Sequence, residues 1–410
     1  MGKLNYIDLF SGAGGLSEGF INAGFNPIAH VEIDDYACKT LETRLVYHKL
    51  KKQGKLDIYY DYLLGKIERA DFIRDYGDKE LSNSVLNIGI GEENNALIFE
   101  KIADLIGEKE VDLVVGGPPC QAYSLVGRSR DKNGMKNDPR NHLYKEYGKF
   151  LNKYKPKVFV FENVTGLLSA NGGQYYEDMK NHFEEIGYEL DDKIHNSADF
   201  GVLQIRKRVI LIGWRKDVKF SYPVFEKQER IWKVSDLLQD LKPLKPGEQI
   251  NVTKYHRESS SYLNQFKLRN GVDFVTQHVT RPHNNRDLEI YKIAIEKWLK
   301  KGERLKYPDL PKRLKTHKNE KSFVDRFKVV NPYGYSHTMV AHISKDGHHY
   351  IYPDAEQVRS LSIREAARIQ SFPDDYFFEG GQGAAFRQIG NAVPPLMAFE
   401  IAKSIGNLLR

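Results

Sequence analysis

The sequence predicts an α/β protein: a doubly wound, mostly parallel sheet carrying a second, smaller and irregular domain. Three observations predict it. Short apolar, β-branched runs alternate with helical stretches from residue 5 to residue 215. Glycine-rich or acidic turns close several of those runs, where open α/β sheets bind ligands. After Arg215 the rhythm breaks into a basic stretch with scattered prolines and few long strands.

Composition narrows the classes. At 410 residues, 40% hydrophobic and 29% charged, the chain is long enough for two domains and can bury a sizeable core. No apolar run approaches the ~20 residues of a membrane span. The start, Met1-Gly2-Lys3-Leu4, enters a strand directly and lacks the pattern of a signal peptide. Two cysteines, Cys38 and Cys120, make no disulfide framework, so a reducing cytoplasm is expected. Charge is segregated. Residues 216–328 hold 26 Lys and Arg against 15 Asp and Glu, whereas the remainder is slightly acidic. A basic block on an otherwise acidic chain favours a polyanionic partner, above all nucleic acid.

Residues 5–10 read as a first strand, Ser11-Gly12-Ala13-Gly14-Gly15 as a tight loop, and 16–23 as a helix. That order lets backbone N–H groups approach a ligand closely. The second strand, 27–31, ends at Glu32, an acceptor for both hydroxyls of a ribose. A nucleoside-containing cofactor follows. The loop is Gly-x-Gly-Gly rather than Gly-x-Gly-x-x-Gly, which tilts the choice from NAD towards S-adenosylmethionine.

Residues 44–99 are charged, tyrosine-rich and weakly periodic, and read as an insertion. Ala103-Asp104-Leu105 then leads into the strand 111–116; an acidic group near the tip of a third strand can accept from an adenine amino group, although a surface aspartate is the commoner explanation of a single Asp. Gly116-Gly117-Pro118-Pro119 stops the strand and Cys120 follows at once. A thiol there faces the ligand crevice, although a lone buried cysteine is more often a packed one. The loop 121–141 is basic and longer than an ordinary connection, as lids are. The helix 143–154, the strand 157–161 ending in Glu162-Asn163-Val164, and the helix 176–186 come next. Gln204-Ile205-Arg206-Lys207-Arg208 then opens the strand 209–214. In the basic block 288–300 is an amphipathic helix; 364–370 and 396–409 are helical. Cys38, Trp214, Trp232 and Trp298 read as packing residues. His342, His348 and His349 lack zinc-ligand spacing, so no metal is expected.

A thiolate, a carboxyl group and two arginines around an adenosyl cofactor suit one reaction. C5 of a pyrimidine becomes nucleophilic once a thiolate adds to C6. A glutamic acid at N3, its pKa raised by burial, eases that addition, and an arginine at O2 balances the charge.

These residues closely resemble DNA (cytosine-5) methyltransferases of the bacterial restriction–modification type. The matching motifs are Asp8-Leu-Phe-Ser-Gly-Ala-Gly-Gly15, Glu32, Asp104, Gly117-Pro-Pro-Cys-Gln121, Glu162-Asn-Val164, Gln204-x-Arg-x-Arg208, Arg364-Glu-x-x-Arg-x-Gln-x-Phe-Pro373 and Gly390-Asn-Ala-Val-Pro394. They span 1–43, 100–215 and about 336–410. Leu203 departs from the family's usual proline. The resemblance implies Cys120 as nucleophile, Glu162 at N3, and Arg206 and Arg208 serving the base and the thiol. It implies S-adenosylmethionine held by Phe10, Gly12, Gly14, Gly15, Leu16, Glu32, Ile33, Asp104, Leu105, Pro118, Asn391 and Ala392. Gln121, Ser124, Arg128, Arg130, Lys132 and Arg140 would meet double-stranded DNA. It further implies a catalytic domain of 1–215 plus 388–410, a target-recognition domain of 216–363 and a hinge of 364–387. A monomeric, nucleoid-associated enzyme is expected, protecting host DNA beside a cognate endonuclease or acting as a solitary methylase. Two other readings exist. A tRNA-methylating branch carries Cys-Phe-Thr in its second domain, and this chain has no cysteine after Cys120. A silent DNA-binding relative would be expected to lose the nucleophile or the glycines, and both are present.

Overall fold

Alternate side chains of the first strand go to opposite faces, and helices cover both. The computed structural model describes residues 2–119, 142–316, 320–321 and 324–410. Its strands are β1 (Asn5–Leu9), β2 (Asn26–Glu32), β3 (Val85–Asn87), β4 (Leu113–Gly116), β5 (Val158–Val164), β6 (Tyr188–Asn196), β7 (Gln204–Ile205) and β8 (Lys207–Arg215), followed by β9 (Val252–Lys254), β10 (Phe274–Thr276) and β11 (Ser336–His337). The main sheet runs β3-β2-β1-β4-β5-β8-β6. β3 to β5 pair in parallel; β8 is antiparallel to both β5 and β6.

Tyr6 points to one face, where it joins Phe20 of α1 (Gly15–Asn22) and Met397 and Ile401 of the last helix, Pro395–Leu409. Ile7 and Leu9 point to the other. There they meet Ile98 and Ile102 of the helix Asn95–Ile106, Tyr147 of Leu143–Tyr154 and Phe183 of Gln174–Glu185. The last helix lies directly on α1 because residue 19 is glycine: a Cβ there would come within 2.4 Å of the Ala398 Cβ.

The sequence reading missed β6. Its burial alternates along Tyr-Glu-Leu-Asp-Asp-Lys-Ile-His-Asn, as befits an edge strand with one wet face. The inserted material is also smaller than 44–99. β3 lies within that range and pairs with β2, and the helix Asn95–Ile106 belongs to the sheet's own layer. What remains is the second half of α2 (Asp35–Gln53) and three short helices, α3 (Leu56–Leu63), α4 (Arg69–Tyr76) and α5 (Lys79–Asn83). Tyr47, Tyr59, Tyr62 and Phe72 give them a core of their own.

The basic block holds two cores. One gathers Trp232, Leu237, Tyr262 and Val275 with Ala366, Phe372 and Ile389, and includes Ala13 of the glycine loop. The other is separate: Ile290, Tyr291 and Ile295 of the helix Asn285–Lys301 pack on Leu305, Leu310, Phe327, Val329 and Ile351. The segment 364–387, read as a hinge, is packed rather than open. Every residue of the helix Ile363–Ile369 is buried. Arg368 bonds Asp240 and Asp374, and Arg364 donates to the carbonyls of Thr276, Pro373 and Tyr376. Paired this way, the buried guanidinium groups are tolerated. Among the described residues no helix is long and apolar enough to cross a membrane.

Candidate active site

The loop after β1 is shaped by left-handed backbone. Phe10, Gly12 and Gly14 have φ of 56°, 54° and 80°, a region costly for side chains other than glycine's. Each glycine is required differently. A Cβ on Gly12 would meet nothing within 4 Å, so the open space beside it is available to a ligand. A Cβ on Gly14 would strike Leu41, and one on Gly15 would lie 2.3 Å from the Val393 carbonyl oxygen. Leu16 is buried beneath the loop.

Glu32 closes the same pocket. Its carboxylate accepts from the backbone N–H of Gly12 (2.8 Å), Ile33 (2.9 Å) and Asp34 (2.9 Å). Burial pushes its pKa up, and those three bonds pull it down. Ile33 beside it is 74% exposed, an apolar side chain left on a pocket rim. Asp8 is fully buried with neither carboxyl oxygen partnered. Burial first, and Glu32 second, raise its pKa well above the carboxylate range.

The second half of the site lies at the same sheet edge. β1 and β4 touch so closely that a Cβ on Gly116 would lie 1.9 Å from the Leu9 carbonyl oxygen. The chain continues through Gly117 to Pro118, which is buried and whose carbonyl accepts from Asn163 Nδ2 at 3.2 Å. Glu162 and Arg208 come from β5 and β8. Because these strands are antiparallel, the end of one meets the start of the other, Val164 opposite Arg208. Arg208 Nε lies 2.8 Å from Glu162 Oε1. Arg206 stands between β7 and β8. It is 2% exposed, and its Nη1 donates to the carbonyls of Met339 (2.6 Å) and Gly390 (3.5 Å).

Two glutamines tie these parts together. Gln204 Nε2 donates to Gln370 Oε1 (2.7 Å), and Gln204 Oε1 accepts from Met339 N (2.6 Å). Gln370 Nε2 donates to the Ile389 carbonyl at 2.6 Å, at the end of the helix Gln382–Asn391. Asn391, exposed, and Ala392, buried, follow directly.

Asp104 and Leu105 are corrected. They lie in the last turn of the helix Asn95–Ile106, which leads into the start of β4. That is the opposite edge of the sheet from Glu32 and the glycine loop. The third strand ends instead at Asn87 and Ile88, where Ile88 N donates to the Glu32 carbonyl and Gly89 abuts Ile33. A strand of three residues leaves too short an apolar run to be read from sequence. Cys120, Gln121, Ser124, Arg128, Arg130, Lys132 and Arg140 lie outside the described residues. The sequence reading assigned no role to Asp8, Asn163 or Gln370. Each stands inside a motif it had singled out, and only the fold gives them partners or denies them any.

Comparison with known proteins follows from this geometry. A family model for C-5 cytosine-specific DNA methylases matches residues 4–73 and 89–407. The chain is 46% identical over 439 residues to the type II methyltransferase M.Bpa9945I of Bacillus paralicheniformis, covering 98% of each protein. It is 31% identical to the type II methyltransferase M1.HphI of Haemophilus parahaemolyticus, covering 98% of this chain and 87% of that one. Among solved structures, it superposes on a prophage-encoded protein (E. coli) assigned as a DNA modification methyltransferase, with a TM-score of 0.65, 24% identity and 99% of both chains covered. The methyltransferase EhMeth of Entamoeba histolytica gives a TM-score of 0.57 at 16% identity over the whole of both chains.

Proposed function

From the premise that this chain belongs to the C-5 cytosine-specific DNA methylase family, we propose how its residues methylate cytosine C5 in double-stranded DNA. The observation that carries the reading is the Glu162–Arg208 pair, held at one sheet edge beside the turn that leads to Cys120.

The target cytosine cannot reach a thiol inside a duplex, so it leaves the stack, at a cost of a few kcal/mol. Cys120 adds as thiolate to C6. Glu162 holds the proton at N3, and Arg208 sets the carboxyl group and steadies charge at O2. Arg206, whose Nη1 donates to the Met339 and Gly390 carbonyls, serves the base and the thiol together with Arg208. Once C5 carries the methyl group, its proton passes to a base or water and Cys120 leaves C6 as thiolate, which restores aromaticity and the free enzyme.

The pocket fits S-adenosylmethionine, which when bound supplies an electrophilic methyl carbon. The open space beside Gly12 and the Glu32 carboxylate support that assignment. Phe10, Gly14, Gly15, Leu16, Ile33, Pro118, Asn391 and Ala392 complete it; Asp104 and Leu105 do not. Residues 216–363 read the DNA sequence, and the basic loop from Gln121 to Asn141, with Ser124, Arg128, Arg130, Lys132 and Arg140, meets phosphates over the extruded base. The enzyme acts as a monomer and protects sites that a partner endonuclease would cut.

Incubation with duplex DNA and methyl-labelled S-adenosylmethionine tests this. Label must reach cytosine C5, and Cys120→Ser must abolish it. Label on adenine, or transfer that survives the serine substitution, would sink the mechanism.

A further inference from the structure

We infer that Asn270, in the basic block, is a positioning residue for the cofactor loop, acting through Asp375 and Arg44. The inference rests on the reading of the glycine loop as the cofactor site.

Asn270 Nδ2 donates to Asp375 Oδ2 at 2.5 Å and to the Tyr47 hydroxyl at 2.8 Å. Asp375 is fully buried. Its other oxygen accepts from Arg44 Nη1 at 3.1 Å. Arg44 turns its remaining edge to Glu18, with Nε and Nη2 on the two carboxylate oxygens at 2.9 and 2.7 Å. The guanidinium is stacked against Tyr47, 3.6 Å from the ring centroid. Glu18 stands in the first turn of α1, directly after Gly14 and Gly15. Tyr376, the residue after Asp375, donates its hydroxyl to the Ala13 carbonyl within the loop. Asp375-Tyr376 therefore holds the glycine loop directly through Tyr376 and the first turn of α1 through Arg44, and Asn270 is the basic-block side chain that bonds the Asp375 carboxylate.

Glu18, Arg44 and Asp375 are each at most 5% exposed, so their charges are strongly felt and must all be matched. Without Asn270, Asp375 keeps only the Tyr47 hydroxyl and Arg44 as side-chain donors, and Arg44 is drawn from Glu18 towards it. The first turn of α1 and the Ala13 carbonyl then lose their fixed position. Cofactor affinity responds, whereas the Glu162–Arg208 pair on the far strands does not.

Asn270 has a left-handed backbone, φ 48°. Asn270→Gly keeps that conformation and removes only the amide; Asn270→Asp sets a second carboxylate against Asp375. Binding of S-adenosylhomocysteine, without DNA, is measured by calorimetry beside melting temperature, kcat and both KM values. Expected for Asn270→Gly are three- to tenfold weaker binding, a matching rise in KM for S-adenosylmethionine, and kcat and KM for DNA within twofold. Asn270→Asp should be weaker still, and Tyr376→Phe should weaken binding in the same direction. Wild-type affinity in both Asn270→Gly and Tyr376→Phe overturns the inference, as does a fall in kcat that parallels the fall in affinity. A wild-type protein that binds no S-adenosylhomocysteine overturns the cofactor site itself.

Discussion

Arg208 holds its Nε 2.8 Å from Glu162 Oε1 across two antiparallel strands. Register fixes this pair, since the strands cannot slip without turning every side chain over. Glu162→Gln should lower single-turnover methyl transfer by about 10²–10⁴-fold, the range of general acid–base catalysis. Arg208→Lys should lose at least tenfold, because a point charge does not replace a planar fork. The double variant should lose less than the product of the two, since they act as one unit. Strictly multiplicative losses would show that the residues work independently.

Gly12 and Gly15 separate binding from folding. Gly12→Ala puts a methyl group into open space at φ +54°, so cofactor affinity should fall at least tenfold with about 1–2 kcal/mol of backbone strain. Gly15→Ala drives a methyl group to 2.3 Å from the Val393 carbonyl and should depress the melting temperature more than Gly12→Ala does. Calorimetric titration and thermal melts on both variants check the order; a reversed order refutes it.

Asn163 secures the turn that carries the nucleophile, through its bond to the Pro118 carbonyl. Asn163→Ala should cost about 1–3 kcal/mol of stability, as loss of a buried partner does. It should lower kcat about tenfold with cofactor affinity unchanged. Equal kcat in variant and wild type would remove Asn163 from the mechanism.

Buried histidines set the acid limit. Burial, chiefly, pushes His30 and His337 down to about 4 from an ordinary 6.5. Their folded forms therefore stay neutral where the unfolded chain takes up protons. Stability is full above pH 6.5 and falls as pH drops from about 6.5 towards 4. Glu18, Glu365 and Asp374, whose pKa values are lowered in the folded protein, lose their contribution only below the ordinary carboxylate range. Melting temperature should thus begin to fall near pH 6.5, and His337→Gln should soften the slope. A flat profile from pH 6.5 to 5 contradicts this assignment.

Much of the fold is legible in the sequence because its strands are buried on both faces. β4 and the first four residues of β5 read as unbroken apolar runs, β1 as a mostly apolar one, and the helix Leu143–Tyr154 is readable to the residue. β3 and β6 were not: one is three residues long, the other alternates charge. The same blindness misplaced Asp104, since a missed strand transfers its tip to the next acidic residue. Glu162 and Arg208 are legible as neighbours from their motifs. The direction of Arg206 is not, because it depends on carbonyls 133 and 184 residues away. Nor is the packing of 364–387, whose buried arginines look in sequence like solvated ones.

The separate core under the helix Asn285–Lys301 bears on how such a chain diversifies. Its apolar side chains fill their own space rather than that of the core containing Ala13. Surface loops on that subunit of structure can drift, or be exchanged between relatives, without reshaping the pocket below. Asp240, Asn270 and Arg368 belong to the other core's polar framework and have no such licence. On the proposed assignment of target reading to residues 216–363, a library aimed at new target sites is best confined to 285–329.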